Sequence, residues 1–500
     1  MKRHRYAQSV LLAVLIASAV SCAADTTPEV PIGSQVNTES ALAAETETVF
    51  DPLSLIPSAI PETDFGGSEF HILRWGDGGN FDHLGYVSDG LNGELLNDTI
   101  FERNALIEEK YNVVITSEWV DQPASNARKA VTSGDAAYHL VSDWPTRLAQ
   151  ISISGVLLDL YTVPYLDFTA PWWDHNAVET YTIRDRMYFT TGDFVLFDKQ
   201  RAFGMFFNST MASALDIEDL YTAVNEGRWT LDLFNTCCAQ AVSDLDGNGK
   251  IGEYSDRFGL VTSSYTGTPY LLIGCGSTYS EQTEDGRHAL AINSEHTVNI
   301  IDKLGKTLFD AAATVHMEDI LRAIAPPFDP ARYLFQNNQA LFMHSVTQVV
   351  RLMDMDDAWG ILPQPKYDEA QENYLSAYQA EYSASIGIPA TAAGDDLERI
   401  GILLESLSAV SHETTYPAFI EDILMNKKAP DAESVDMLRI IYGNLVYDMF
   451  DTFQIGNIPS AVYSNLYTKK GKNFISDMEK LLSKVEKAYD KLLDNYDSLE

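Results

Sequence analysis

Between Phe70 and Trp144 strand-like and helix-like stretches alternate, and that alternation restricts the fold more than any other feature. FHILRW is an apolar run ending in Trp75, NVVITSEW is β-branched, and YHLVSDW ends in Asp143 and Trp144. Between them, LNDTIFERNALIEEKY puts Leu96, Ile100, Ala105 and Ile107 on or near one helical face, with Asn97 or Asp98 near its start. ASNARKAVTSGD reads as a second helix that a glycine ends. A β-α-β-α-β run requires crossover connections, so it predicts a mainly parallel sheet with helices on both faces. Later strand-like pieces are RFGLVTS, QALFMHS and AWGILPQP, and the last third is mostly helical. The expected class is α/β. About 430 ordered residues are too many for one core and suit two lobes.

The amino terminus reads as an export signal. Lys2, Arg3 and Arg5 precede an apolar stretch from Val10 to Val20, which is too short for a permanent membrane span. Ala19-Val20-Ser21-Cys22 resembles a bacterial lipobox, so residues 1–21 are expected to be removed and Cys22 lipidated; plain secretion is the alternative. Residues 22–65 are rich in Ala, Thr, Ser, Glu and Pro and are expected to be a flexible tether. The protein would then sit at the outer face of the cell membrane, held by lipid alone. A formal net charge of −38 argues against nucleic acid and anionic membrane as partners. Cys237, Cys238 and Cys275 show no metal-ligand spacing and read as small buried apolar residues.

No Gly-x-Ser-x-Gly elbow, His-Glu-x-x-His motif, Walker loop or dinucleotide fingerprint is present. The chain is therefore read as a binder, not an enzyme. In open parallel sheets ligands bind beyond the carboxyl ends of the strands. Trp75, Asp143 and Trp144 fall at such ends. Trp172, Trp173 and Asp174 follow in the irregular segment APWWDH. A tryptophan face matches the C–H face of a pyranose, and a neighbouring carboxylate accepts bonds from paired hydroxyls. These six residues are the expected carbohydrate contacts. The rival reading of any single tryptophan is core packing, which suits Trp75 and Trp229 at least as well.

Several segments, in order and spacing, resemble the bacterial extracellular solute-binding lipoproteins of ATP-driven sugar importers, in particular their long clostridial-type members. The carrying stretches are LNDTIFERNALIEEKYNV, SGDAAYHLV, PYLDFTAPWWD, RMYFTTGDF, FFNSTMASALDIEDLYTAVNEGRWTLDLF, DLDGNGKIGEYSDRFGL, AWGILPQPKYDEAQENYLSA and RIGILLESLSA. His139 departs from the family pattern, which has aspartate there. The resemblance implies the two-lobed type II fold of periplasmic binding proteins, with a hinge and a helical carboxyl-terminal portion. It assigns residues 66–205 and 343–410 to the first lobe and 206–342 and 411–500 to the second. It also implies a monomer that captures a carbohydrate, expected to be an oligosaccharide, by lobe closure and delivers it to the permease subunits of an ABC transporter. The alternatives are a glycan-active hydrolase, a surface glycan adhesin, or a binder of a peptide or polyamine.

SDLDGNGKIGEYSD, residues 243–256, alternates acidic or amide side chains with glycines, as a loop around a hard cation does. With Asp244 at position one, an EF-hand would need glutamate where Ser255 stands. The expected calcium ligands are Asp244, Asp246, Asn248, the Lys250 carbonyl and Glu253, with Asp256 as a further candidate. A metal-free loop of Asx turns is the rival. A second copy of the loop, as a dockerin-like module needs, is absent.

Overall fold

A computed structural model describes residues 50–76, 85–251, 255–319, 330–348, 354–394, 396–425 and 432–499. The export signal, Cys22 and Glu253 lie outside these residues, as does most of the tether.

The predicted alternation is present. Strand β1 (Ser68–Trp75), helix α1 (Leu95–Tyr111), β2 (Val113–Val120), α2 (Pro123–Ser133), β3 (Leu140–Asp143) and α3 (Pro145–Ser152) follow one another. β1 lies parallel to both β2 and β3, with Trp75 opposite Val120 and Ile72 opposite Leu140. Helix α1 buries Leu96, Ile100 and Ile107 as its period requires, but Ala105 is exposed. Its place in the buried stripe is taken by Arg103 and Asn104, which both donate to the Tyr86 carbonyl. Stepping by 3.6 residues from Leu96 and Ile100 reaches 103 and 104, not 105.

The second sheet holds β4 (Phe203–Asn208), β5 (Phe258–Thr262), β6 (Thr314–His316), β7 (Ala340–Val346) and β8 (Trp359–Leu362), in the order β8-β4-β7-β5-β6. β4 runs antiparallel to β7 and β8, whereas β5 is parallel to β6 and β7. Strand β9 (Ser385–Gly387) then closes the first sheet, antiparallel to β3, which gives the order β9-β3-β1-β2. The return to the first sheet therefore comes at 385, not at 343, because β7 and β8 complete the second sheet first.

Helices cover both sheets. α4 (His175–Tyr181) precedes the crossover into β4, and α5 (Leu231–Ala241) follows the buried Trp229, whose indole donates to the Pro363 carbonyl. α6 (Asp396–Glu413) and α7 (Thr415–Met425) pack on α1, while α8 (Ala432–Gly443) packs on β8. The expected boundary at residue 411 is thus displaced: α7 stays with the first sheet. The last helix, α9 (Leu482–Asp497), touches both sides. Its Tyr489 hydroxyl accepts from the His288 backbone, and Tyr496 stacks edge-on to Tyr188. The tether expectation also overran at its carboxyl end. Residues 51–65 pack on the fold, with Ile60 buried and the Phe65 amide bonded to the Tyr111 carbonyl. Cys237, Cys238 and Cys275 are buried free thiols, as expected.

Candidate functional site

The carboxyl ends of β1 and β3 carry two tryptophans side by side. The Trp75 and Trp144 rings lie 5.8 Å apart, and Trp75 also meets Phe197 at 5.5 Å. Trp144 packs 4.2 Å from Tyr382, and the Arg147 guanidinium sits 3.5 Å from the centroid of the Trp144 ring. Arg201, on the crossover into β4, lies 5.6 Å from Phe197 and 5.8 Å from Tyr382. Burial lowers its pKa to about 10, so it stays charged at neutral pH. The Trp144 indole N–H is buried without a partner. That is a donor left for a ligand.

Glu381, next to Tyr382, leads to a second group of aromatics. With Tyr265, Tyr270, Gln379, Asp451 and Tyr463 it lines a small cavity of about 40 Å³. Tyr265 meets Tyr463 edge-on at 5.0 Å, and Tyr463 stacks on Tyr467 at 5.7 Å. Tyr265 is 48% exposed and Tyr382 43%, so both present ring surface to solvent. Burial raises the Glu381 pKa, and the Arg147 charge opposes the rise. Burial, then the neighbouring Asp448 carboxylate, pushes Asp451 up to about 8 while Tyr270 donates to it at 3.2 Å. The arrangement joins ring faces to a guanidinium, a carboxylate and amide groups. It can stack sugar rings and bond paired hydroxyls.

Of the six residues expected to contact a ligand, Trp75 and Trp144 belong to this aromatic group. Asp143 does not serve it. The side chain is wholly buried and accepts from the Ala124 and Trp144 amides at 2.9 and 2.8 Å and from Arg147 at 3.2 Å. It ties α2 and α3 to the end of β3, and burial raises its pKa to about 6. Trp172 and Trp173 are tied to helix α6. Both indoles donate to one carboxylate, Glu405 of α6, each at 3.1 Å. Two successive tryptophans thus reach the same acceptor, and Trp173 is buried. Asp174 caps α4 through the Ala177 amide and accepts from Lys199 at 3.2 Å and Tyr447 at 2.8 Å. Arg147, Arg201, Tyr265, Glu381, Tyr382 and Tyr463 were missed. They carry no local motif and meet only through the fold.

The acidic loop brings carboxylate oxygens of Asp244, Asp246 and Asp256 within 4.8 Å of one another. Asp244 accepts from the Gly247 and Gly249 amides at 2.7 Å, and Asn248 accepts from the Lys250 amide at 2.8 Å. Gly247 and Gly249 have φ of 72° and 77°, a conformation glycine adopts without strain. Asp256 is wholly buried, and Ser255 donates to Asp246 at 2.9 Å. Three carboxylates converging from one loop are a donor set suited to a hard oxygen-preferring cation.

Two α/β sheets, between which the chain passes and returns, make the expected two-lobed type II fold, which solved ABC substrate-binding proteins share. A cyclo/maltodextrin-binding protein complexed with maltotetraose superposes with a TM-score of 0.55 at 14% identity, covering 85% of this chain and 97% of the other. An ABC substrate-binding protein of Listeria monocytogenes, in complex with cycloalternan, gives 0.51 at 13% identity, covering 86% and 99%. A Streptomyces glaucescens receptor described with acarbose gives 0.50 at 14% identity, covering 86% and 99%. No protein-family model and no curated protein matches the sequence.

Proposed function

We propose that the protein is the substrate-binding component of an ABC importer, capturing an oligosaccharide in the aromatic cleft by lobe closure and passing it to permease subunits. The observation that carries this reading is the run of Trp75, Trp144, Tyr382, Tyr265 and Tyr463 around Arg147 and Glu381. The ligands named for the three similar structures, maltotetraose, cycloalternan and acarbose, favour a carbohydrate over a peptide or polyamine. The space enclosed at Tyr265 and Tyr463, about 40 Å³, is far below the roughly 300–1,000 Å³ of a ligand pocket. Entry of a sugar therefore requires the walls to part, as a hinged binder allows. Binding without turnover separates this reading from a hydrolase. Incubation with maltotetraose should change tryptophan fluorescence saturably and release no shorter sugar; product release, or no response to any of a set of mono- and oligosaccharides, refutes it. A scattering profile unchanged by a sugar that binds would favour an adhesin.

Lipidation at Cys22 and attachment to the outer membrane face, as a monomer, belong to the same reading. So does a structural calcium held by Asp244, Asp246, Asn248, the Lys250 carbonyl and Glu253, with Asp256 as the further candidate. The buried Asp256 carboxylate supports it. EDTA should lower the melting temperature of the wild type and added calcium restore it, and Asp244→Ala should abolish the difference. An EDTA-insensitive wild type refutes the site.

A further inference from the structure

A cavity of about 1120 Å³ lies apart from the aromatic cleft. It lies among the segment 171–176, the crossover residues Asp193 and Lys199, and helices α6, α7 and α8. The crossover divides the two spaces. Phe197 meets Trp75 in the cleft, whereas Lys199, two residues on, lines the cavity. Because α7 packs on α1 and α8 packs on β8, an occupant would touch helices carried by both sheets.

The inner wall is rich in acceptors. Lys199 bonds Asp174 at 3.2 Å and Asp198 at 3.1 Å, and Asp193 lies 2.5 Å from His412. Three carboxylates thus meet one ammonium and one imidazole. Glu421 and Arg439 also line the cavity, and Arg439 pairs with Asp436 at 3.1 Å. The Oδ1 of Asp198, beside Lys199, is buried without a partner just outside the lining, and the hydroxyl of Tyr442, which lines the cavity and is 4% exposed, interacts with Thr347 while its oxygen receives no donor. Buried acceptors without donors are costly, and a ligand that brings N–H groups relieves them. Trp173, Tyr416 and Tyr442 supply aromatic walls that suit a cation.

We infer that this cavity is a second ligand site, taking a small organic amine in its ammonium form. It is independent of the sugar reading. Its ammonium would bond the Tyr442 hydroxyl and the Asp193 carboxylate while its methylenes lie against Trp173 and Tyr416.

Isothermal titration of the full chain with spermidine tests the site. It should be run in 0.3 M NaCl, where a screening length of about 5–6 Å suppresses loose association with the acidic surface. One equivalent should bind saturably. Val435→Trp, which puts an indole where a half-buried cavity residue stands, and Asp193→Asn should each weaken binding at least tenfold. Trp144→Ala, in the cleft, should leave it unchanged. No saturable heat, several equivalents lost to salt, or wild-type affinity in Asp193→Asn overturns the inference. So does loss of binding in Trp144→Ala, which would move the amine to the cleft.

Discussion

Glu405 should make the protein less stable as the pH rises through neutrality. Its side chain is almost wholly buried on α6, and its two oxygens accept from the Trp172 and Trp173 indoles. Burial raises its pKa to about 7, and the indole bonds only partly offset that. The unfolded chain should titrate near the ordinary glutamate value of about 4.3. Between these values the folded state holds a proton that the unfolded state has released, so the contribution to stability is complete below the unfolded pKa and is lost as pH rises through the folded one. Taking the shift at face value, the loss between pH 5.5 and 8 is about 2 kcal/mol. Glu405→Gln removes the titration but keeps one acceptor for the indoles. Urea unfolding of both proteins at pH 5.5, 6.5, 7.2 and 8 reads the difference directly. The variant should be the less stable at pH 5.5, having lost one indole bond, and should gain on the wild type by about 2 kcal/mol by pH 8. A difference that stays flat across the range would show that Glu405 is ionised throughout, and would refute the account of the clamp as a buried neutral acid.

Three further outcomes follow from the geometry. Trp144→Ala removes a ring facing Tyr382 and a donor without a partner, and should weaken oligosaccharide binding by about 2 kcal/mol, roughly thirtyfold, by titration calorimetry. Trp119→Ala, on the outer strand β2 and half exposed, is the control that should not change it. Lys199→Met strands Asp174 and Asp198, and should cost about 3–5 kcal/mol in urea unfolding, the penalty for an uncompensated buried charge; a cost below 1 kcal/mol would mean the carboxylates find other partners. Tyr265→Ala should weaken longer oligosaccharides more than a disaccharide if the Tyr265–Tyr463–Tyr467 run carries successive rings.

The sheet alternation was legible because it is a local property. Each of β1, α1, β2, α2 and β3 declares itself in fewer than twenty residues, and the crossover rule then restricts how they join. The lobe boundaries were not legible, since nothing local in AWGILPQP says which sheet β8 will pair with; it is β4, more than a hundred residues earlier, that supplies the partner. The same division explains the site. Trp75 and Trp144 could be placed because a strand end is a local address, whereas Tyr265, Tyr382 and Tyr463 come from three separate segments with no shared pattern.

The failure at APWWDH is more instructive than the successes. Adjacent side chains in an extended segment point apart, which argues that both tryptophans cannot bury against one core. That argument counts ring faces and ignores the indole N–H. In an irregular turn the two nitrogens converge on one carboxylate, and Glu405, within the leucine-rich helix α6, is the acceptor that makes this possible. A single acid in the middle of ILLESLS therefore stood for a buried polar partner. Buried acids are rare unless something donates to them. A lone glutamate on an otherwise buried helical face is thus a reason to look for donors elsewhere in the chain, and the two nearest unexplained indoles were the ones assigned to sugar. Asp143 repeats the lesson. A carboxylate at the end of a parallel strand faces either the ligand or the amino terminus of the next helix. Here the Ala124 and Trp144 amides and the Arg147 guanidinium saturate it, and in the proposed sugar site the carboxylate beside the aromatic rings is Glu381, next to Tyr382 on the segment returning to the first sheet.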